Sequence, residues 1–295
     1  MDLKLAISGT EFEQHESIQE LLDIAETNGV KFVELWYPKN LARLGLQRSL
    51  GLIRRSGVQV ACVSSGSELL RGAEETRTQQ RLLRQSINLA SRVGASLVNT
   101  YFGFTTTRNR KTALEAYCHR IKPFLSLAER LDVTLVLENE FNAFGWDPKH
   151  TDITRVPQSV HTLLSGLGNS RMKTTFDPCN YYFAGIEPFP YAYHILRTLI
   201  SYVHVKDGAK FLPYPKDESI GQQFKDNGSR FCIRSMGTGA LNWAAIINAL
   251  HHDNYHGFLT IEPHSLPEHR ATAFGRSIKF LRSIVKTAKI PVDGL

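Results

Sequence analysis

Eight short apolar runs recur along the chain, and a helical pattern follows each of them; this alternation limits the fold more than any other feature. The runs cover residues 3–8, 31–36, 58–63, 96–100, 133–137, 172–176, 200–205 and 257–261. After the first, Ile18, Leu21, Leu22 and Ala25 fall on one helical face, and Asn28-Gly29 supplies a stop that tolerates the left-handed conformation. A short helix should end at Ser56-Gly57, and longer ones should cover about 74–93 and 111–131. Pro123 lacks an amide donor and should kink or split the latter. Further helices are expected at 157–167, 190–198, 242–252 and 267–286. Alternating strands and helices argue for parallel pairing, because parallel neighbours need long crossovers. Eight such units in 295 residues fit an α/β fold of the (β/α)8 barrel type. An open doubly wound sheet is the alternative. It would place a glycine-rich phosphate loop after the first strand, where this chain has Ser8-Gly9-Thr10-Glu11-Phe12. No linker or shift in composition divides the chain, so a single domain over 1–295 is expected.

Four of the runs end on a group that is costly to bury alone. Val133 to Leu137 leads into Glu138, Met172 to Phe176 into Asp177, Tyr202-Val203 into His204, and Phe258 to Ile261 into Glu262. In a barrel all C-terminal strand ends share one rim, so these four side chains should converge. Separate ion pairs would explain each residue singly. Together they suit one divalent cation, with Mn²⁺ the first choice and Mg²⁺, Co²⁺, Fe²⁺ or Zn²⁺ as alternatives. Side chains two apart share a strand face, which puts Glu140 beside Glu138, Lys206 beside His204 and His264 beside Glu262. Lys206 could stabilise an enolate oxygen or simply pair with a carboxylate. Trp36 could wall a sugar pocket or pack in the core, and Asn180 could reach a ligand from its loop. Lys206, Lys210 and Arg234 could together hold a phosphate.

A cation bridging a carbonyl and an adjacent hydroxyl acidifies the C–H between them, and a rim carboxylate can take that proton. Returning it to the opposite face is epimerisation, and returning it to the next carbon is isomerisation. Loss of a β-hydroxyl is dehydration. The site residues do not separate these outcomes.

Composition narrows the partners. A chain with 42% hydrophobic and 21% charged residues is ordinary for a globular protein, and no apolar run nears the ~18 residues of a membrane span. Met1-Asp2-Leu3-Lys4 runs directly into strand-like sequence, so no signal peptide is expected. Cys62, Cys118, Cys179 and Cys232 lie far apart and read as reduced thiols of a cytoplasmic protein. The net charge of +7 is dispersed, which argues against nucleic acid and leaves a phosphorylated sugar open. The longest stretch without periodicity, 208–240, reads as a lid or as a contact with a neighbouring subunit of a homo-oligomer.

The motifs Leu137-Glu138-Asn139, Phe176-Asp177-Pro178-Cys179-Asn180, Val203-His204-Val205-Lys206-Asp207, Gly237-Thr238-Gly239-Ala240-Leu241-Asn242-Trp243 and Tyr255 to Pro263 occur in this order. Together they resemble the xylose isomerase-like barrel superfamily, in particular its sugar isomerase and epimerase branch. The resemblance implies a metal site at Glu138, Asp177, His204 and Glu262, with Glu138 and Glu262 facing each other across the substrate as the acid/base pair. It further implies a small keto-sugar or cyclic keto-polyol as substrate. Ketose 3-epimerases of the group carry a His, a Glu and an Arg where this chain has Asn180, Phe144 and Lys210. The His-x-Lys-Asp form is closer to inosose dehydratases and keto-sugar lyases. The superfamily also contains DNA-cleaving AP endonucleases. Their three-zinc cluster needs extra histidines, where this chain has Ser64-Ser65, Tyr101-Phe102 and Asn180. A barrel that only binds sugar is the remaining alternative.

Overall fold

The structure, a computed structural model, describes residues 3–12, 15–70, 73–103, 109–141, 152–211, 222–226 and 228–293. Strands β1 (Leu3–Ser8), β2 (Phe32–Trp36), β3 (Gln59–Glu68), β4 (Leu97–Tyr101), β5 (Thr134–Glu138), β6 (Met172–Phe176) and β7 (Ile200–Val205) follow one another around a sheet. An insertion carrying β8 (Asp207–Lys210), β9 (Gln223–Asp226) and β10 (Ser229–Arg234) separates β7 from the eighth barrel strand, β11 (Phe258–Ile261). All barrel neighbours are parallel, and β11 closes on β1 with Lys4 opposite Phe258 and Ile7 opposite Ile261. The architecture is a closed (β/α)8 barrel, with the short β12 (Val292–Asp293) added beside the start of β1.

The crossovers are α1 (Ile18–Thr27), α2 (Leu46–Ser56), α3 (Ala73–Val93), α4 (Arg110–Arg130), α5 (Pro157–Leu167), the short α6 (Pro178–Phe183) and α7 (Tyr193–Leu196), α8 (Trp243–His252) and α9 (Arg270–Thr287). Their starts follow ordinary capping chemistry. Ser17 Oγ accepts from Gln19 N at 3.2 Å, and Asn242 Oδ1 accepts from Ala245 N at 3.1 Å. The four residues that set the pattern of α1 are all buried against the barrel. Outward strand residues such as Leu5, Ile7, Val33, Leu35 and Val63 join these helix faces in one continuous core.

Inside the barrel, alternation stacks the side chains in layers. The lower layer is apolar and includes Ala6, Phe32, Leu97, Val136, Tyr202 and Phe258. Two residues further along β2, β4, β5 and β7 the interior becomes polar, with Glu34, Asn99, Glu138 and His204, all at most 2% exposed. Two residues further still come Trp36, Tyr101, Glu140 and Lys206 at the mouth, joined by Glu262. The period of two therefore carries the chain from a dry floor to a charged middle layer and an open rim.

Pro123 lies within α4 and does not split it: the helix runs from Arg110 to Arg130, with Ile121, Phe124 and Leu125 buried on either side of it. Two expectations need correction. The expected helix at 190–198 is an irregular turn at Pro188–Ala192 leading into α7, because Pro188 and Pro190 offer no amide donors. The stretch 208–240 is no structureless loop. Its described part contains an antiparallel sheet in the order β8-β10-β9, while 212–221 and 227 lie outside the described residues.

One carboxylate anchors the insertion to the barrel. Asp207 accepts from the backbone amides of Gly237 and Gly239 at 3.0 Å, of Gly208 at 2.9 Å and of Leu241 at 3.4 Å. A Cβ at Gly239 would collide with the Asp207 carboxylate and with the Gly208 carbonyl. Gly239→Ala should therefore cost about 2–3 kcal/mol and lower the melting temperature by several degrees. Thermal denaturation checks this, and an unchanged midpoint would remove Asp207 from its anchoring role.

Candidate active site

The middle layer is a connected polar network. Ser8 Oγ donates to Glu34 Oε1 at 2.7 Å, and Glu34 Oε2 lies 3.0 Å from His204 Nε2. On the other side of the ring, His204 Nδ1 lies 2.9 Å from Glu138 Oε1 and 3.5 Å from Glu262 Oε2. Asn99 Nδ2 donates to Glu138 Oε2 at 2.6 Å, and Thr175 Oγ1 donates to Asn99 Oδ1 at 2.7 Å. Every member of this network is buried, so each contact also satisfies a group that would otherwise be expensive to desolvate.

Asp177 is placed by its own strand end. Asn139 bridges β5 and β6, donating from Nδ2 to Asp177 O and accepting from Asp177 N, both at 2.8 Å. The Asp177 carboxylate then caps α6 by accepting from Asn180 N at 2.9 Å, with Pro178 as the first helical residue. That short helix was legible as an Asp-Pro start signal, although periodicity alone does not reveal six residues. Lys206 Nζ lies 2.7 Å from Asp177 Oδ2 and 2.9 Å from Glu262 Oε2, so the ammonium takes the ion-paired position. His264 Nε2 is 3.3 Å from both Lys206 Nζ and Glu262 Oε2.

Burial and charge act against each other here. Burial opposes the charge of His204, but Glu138, Glu262 and Glu34 outweigh it and hold the imidazole well above its ordinary pKa. Burial likewise opposes the charge of Lys206, and Asp177 and Glu262 hold its ammonium up. Glu262 lies well below the usual carboxylate range, because Lys206, His204 and His264 overcome its burial. Glu140 goes the other way, raised by burial and by the neighbouring Glu138.

Glu138, Asp177, His204 and Glu262 each offer one ligand atom, and these four atoms lie within 4.8 Å of one another. Three carboxylate oxygens and one imidazole nitrogen suit a hard divalent cation. The Glu34 contact at Nε2 favours the tautomer with a lone pair on Nδ1, the nitrogen that faces the cluster. The residues present therefore fit such an ion. Glu34→Gln should weaken cation affinity by about 10–100-fold, since partners that orient a ligating histidine have effects of that size. Titration against a competing chelator measures it, and unchanged affinity would free His204 from dependence on Glu34.

A cavity of about 240 Å³ opens directly above the cluster. Glu138, Lys206 and Glu262 line it, as do Trp36, Glu140, Asn180 and His264. Lys210 and Arg234 are not brought there. Past Lys206 the chain leaves the barrel for the antiparallel sheet, where Lys210 is exposed and Arg234 sits opposite Asp207. Phe144 lies outside the described residues. The small sheet instead contributes Phe224, whose ring meets His264 edge-on at 6.2 Å and Phe141 at 5.2 Å. It is pinned by Arg155 Nη2, which lies 2.9 Å from Asp226 Oδ1, and by Gln222 N, which donates to His264 O at 3.1 Å.

Sequence reasoning missed several of these groups. Glu34 and Asn99 stand in the middle of apolar runs and not at their ends, yet they share the inward register of Glu138 and His204. Glu68, Asp152 and Glu11 come from strand ends or loops where no period applies. Glu11 ties the first loop to the last, accepting from His264 N at 2.6 Å and from Ser265 N at 3.0 Å, while His264 adopts a φ of 44°. The four cysteines are unpaired. Among the described residues no helix is long and apolar enough to cross a membrane.

Comparison with known proteins agrees with the barrel fold. The chain is similar along 96% of its length to 99% of a 3-keto-D-glucoside 4-epimerase from E. coli, at 16% identity and a TM-score of 0.70. It is similar along 95% of its length to 99% of a probable 3-DHS dehydratase involved in petrobactin synthesis in Bacillus anthracis, at 18% identity and a TM-score of 0.73. A barrel from Mycobacterium smegmatis in complex with magnesium matches over 98% of both chains, at 14% identity and a TM-score of 0.73. At these identities the likeness shows the fold alone. No curated protein matches the sequence. A family profile described as xylose isomerase-like TIM barrel matches residues 16–284, spanning all eight barrel strands but the first, and so the chain belongs to that family.

Proposed function

We propose that this protein is a divalent-cation-dependent isomerase or epimerase of a small keto-sugar or cyclic keto-polyol, with dehydration of a β-hydroxy ketone as the alternative outcome. The observation that carries the reading is the convergence of Glu138, Asp177, His204 and Glu262, one ligand atom from each within 4.8 Å of the others, under a cavity that Glu138 and Glu262 both line. Glu138, Asp177, His204 and Glu262 would hold the cation, which when bound polarises a substrate carbonyl and acidifies the adjacent C–H.

The remaining roles belong to the chain itself. Glu262, kept ionised by Lys206, takes the proton from the substrate carbon. Glu138, which lines the same cavity, returns a proton to the other face. Lys206 holds Glu262 and Asp177 in place. Trp36 offers an apolar wall for a ring, and Asn180 and His264 border the same space. Phe224 and Phe141 restrict water at the insertion side of the mouth.

The experiment is incubation of the cation-loaded protein with ketohexoses, 3-keto-glucosides and inososes, followed by NMR of the products. An epimer or isomer is the expected product, and a dehydrated product would select the alternative. Return of every compound unchanged would refute the enzyme reading.

A further inference from the structure

The cavity above the cluster has aromatic walls on two sides. On one side stand Trp36, at the end of β2, and Tyr101, at the end of β4, with ring centroids 6.2 Å apart. On the other stand Phe141, just past β5, and Phe224 on β9, with centroids 5.2 Å apart. Phe224 also meets Phe183 on α6, after β6, at 5.6 Å and His264, after β11, at 6.2 Å, which places it over the β6, β7 and β11 side. β3, between β2 and β4, is four strands from β7 in the closed ring of eight, so Phe224 stands half a barrel turn from Trp36 and Tyr101.

Both walls present carbon to the space between them. Tyr101 accepts from Asn99 Nδ2 at 3.1 Å through its hydroxyl, which commits its polar end to the layer beneath the cavity. Trp36 N donates to Asn40 Oδ1 at 2.7 Å, and bare backbone at Gly66 lies beside the indole, where a Cβ would come to 3.2 Å from the ring. Phe141 and Phe224 have no polar side-chain atoms. Charge is gathered below, where Glu138, Lys206 and Glu262 line the same cavity.

A charged floor between two aromatic walls makes a slot. An open-chain keto-sugar sends hydroxyls to every side of its carbon chain, and those pressed on a wall would lose water and gain no partner. A six-membered ring with equatorial hydroxyls carries them around its edge and leaves C–H on both faces. The electron-rich faces of aromatic rings attract such polarised hydrogens. The volume of about 240 Å³ lies below the roughly 300–1,000 Å³ of pockets for drug-sized ligands, which suits a single ring. We propose that the cavity takes a cyclic ketone, a keto-cyclitol or a keto-pyranoside, standing on edge between Trp36–Tyr101 and Phe141–Phe224 with its carbonyl edge toward the cluster, and that it discriminates against open-chain ketoses. The proposal rests on reading the cavity as the substrate site.

The test is a ligand-observed NMR titration of the Mg²⁺-loaded protein, with saturation transferred from its aromatic protons. The ring probe is myo-2-inosose. The open-chain probes are L-erythrulose and 5,6-di-O-methyl-D-fructose, neither of which closes to a five- or six-membered ring. The inosose should bind about tenfold or more tightly than either open-chain ketone, and its ring C–H protons should take up the saturation. Trp36→Ala and Phe224→Ala should each weaken inosose binding by about three- to tenfold, while Trp36→Phe, which keeps an aromatic face, should stay within about twofold of wild type. Mg²⁺ affinity measured on the same variants should be unchanged, which reports an intact barrel. Equal or tighter binding of an open-chain ketone to the wild type would overturn the slot. So would inosose affinity that survives both alanine substitutions. Deuterium uptake into an open-chain ketone and none into the inosose would remove the slot and leave the proposed reaction. Ring preference without uptake into any ketone would keep the slot and remove the reaction.

Discussion

Glu262→Gln is expected to lower turnover by about 10²–10⁴-fold, the range for loss of a general base. The substitution is nearly isosteric at a buried position, and Lys206 keeps Asp177 at 2.7 Å, so the barrel should remain folded. The glutamine amide cannot take a proton from carbon, and it no longer draws on Lys206 as a carboxylate does. Because Glu262 is also one of the four proposed cation ligands, the assay belongs at saturating cation, where weaker binding is compensated. The rate of proton exchange on whichever ketone the wild type accepts is the readout. Exchange within a few-fold of wild type would take the base away from Glu262.

His204→Ala should produce the second large effect, in both cation content and stability. The imidazole stands at 3.0 Å from Glu34 and 2.9 Å from Glu138, and all three side chains are at most 2% exposed. Removing it deletes one proposed ligand and leaves buried carboxylates facing one another. Breaking a buried charged pair in this way costs about 3–5 kcal/mol. Elemental analysis should find well under one cation per chain, and the cation-free protein should melt several degrees lower. His204→Gln, which keeps a hydrogen-bonding side chain, should recover part of the stability and none of the cation. Full stoichiometry in both variants would remove His204 from the ligand set.

The strand ends were readable because a barrel imposes a strict period of two and one shared rim. An acidic or imidazole group after an apolar run has few other reasons to be there. Glu34 escaped because Phe32-Val33-Glu34-Leu35-Trp36 looks like a core strand with one odd residue, although its side chain points into the barrel and meets that of His204. The β9–β10 hairpin escaped for another reason. Its Asp-Asn-Gly-Ser turn and the alternating Ser229 to Arg234 are ordinary hairpin signals, but they sit in a stretch rich in glycine and proline that reads as loop. Of the acidic groups at the cavity beyond the cluster, only Glu140 could be read, from its place two residues after Glu138. Glu68, Glu140 and Asp152 come from three separate connections, and only closure of the barrel makes them neighbours. Lys210 and Arg234 looked available for a phosphate because sequence spacing cannot show that the chain leaves the barrel after Lys206.

Solvent deuterium uptake into a recovered keto-sugar, measured with the cation present and after its removal by a chelator, tests the central claim most directly. Deuterium at the carbon beside the carbonyl, lost on chelation and restored by Mn²⁺ or Mg²⁺, is the predicted result. Uptake that persists without any cation, or no uptake with the site fully loaded, would contradict proton transfer between Glu262 and Glu138.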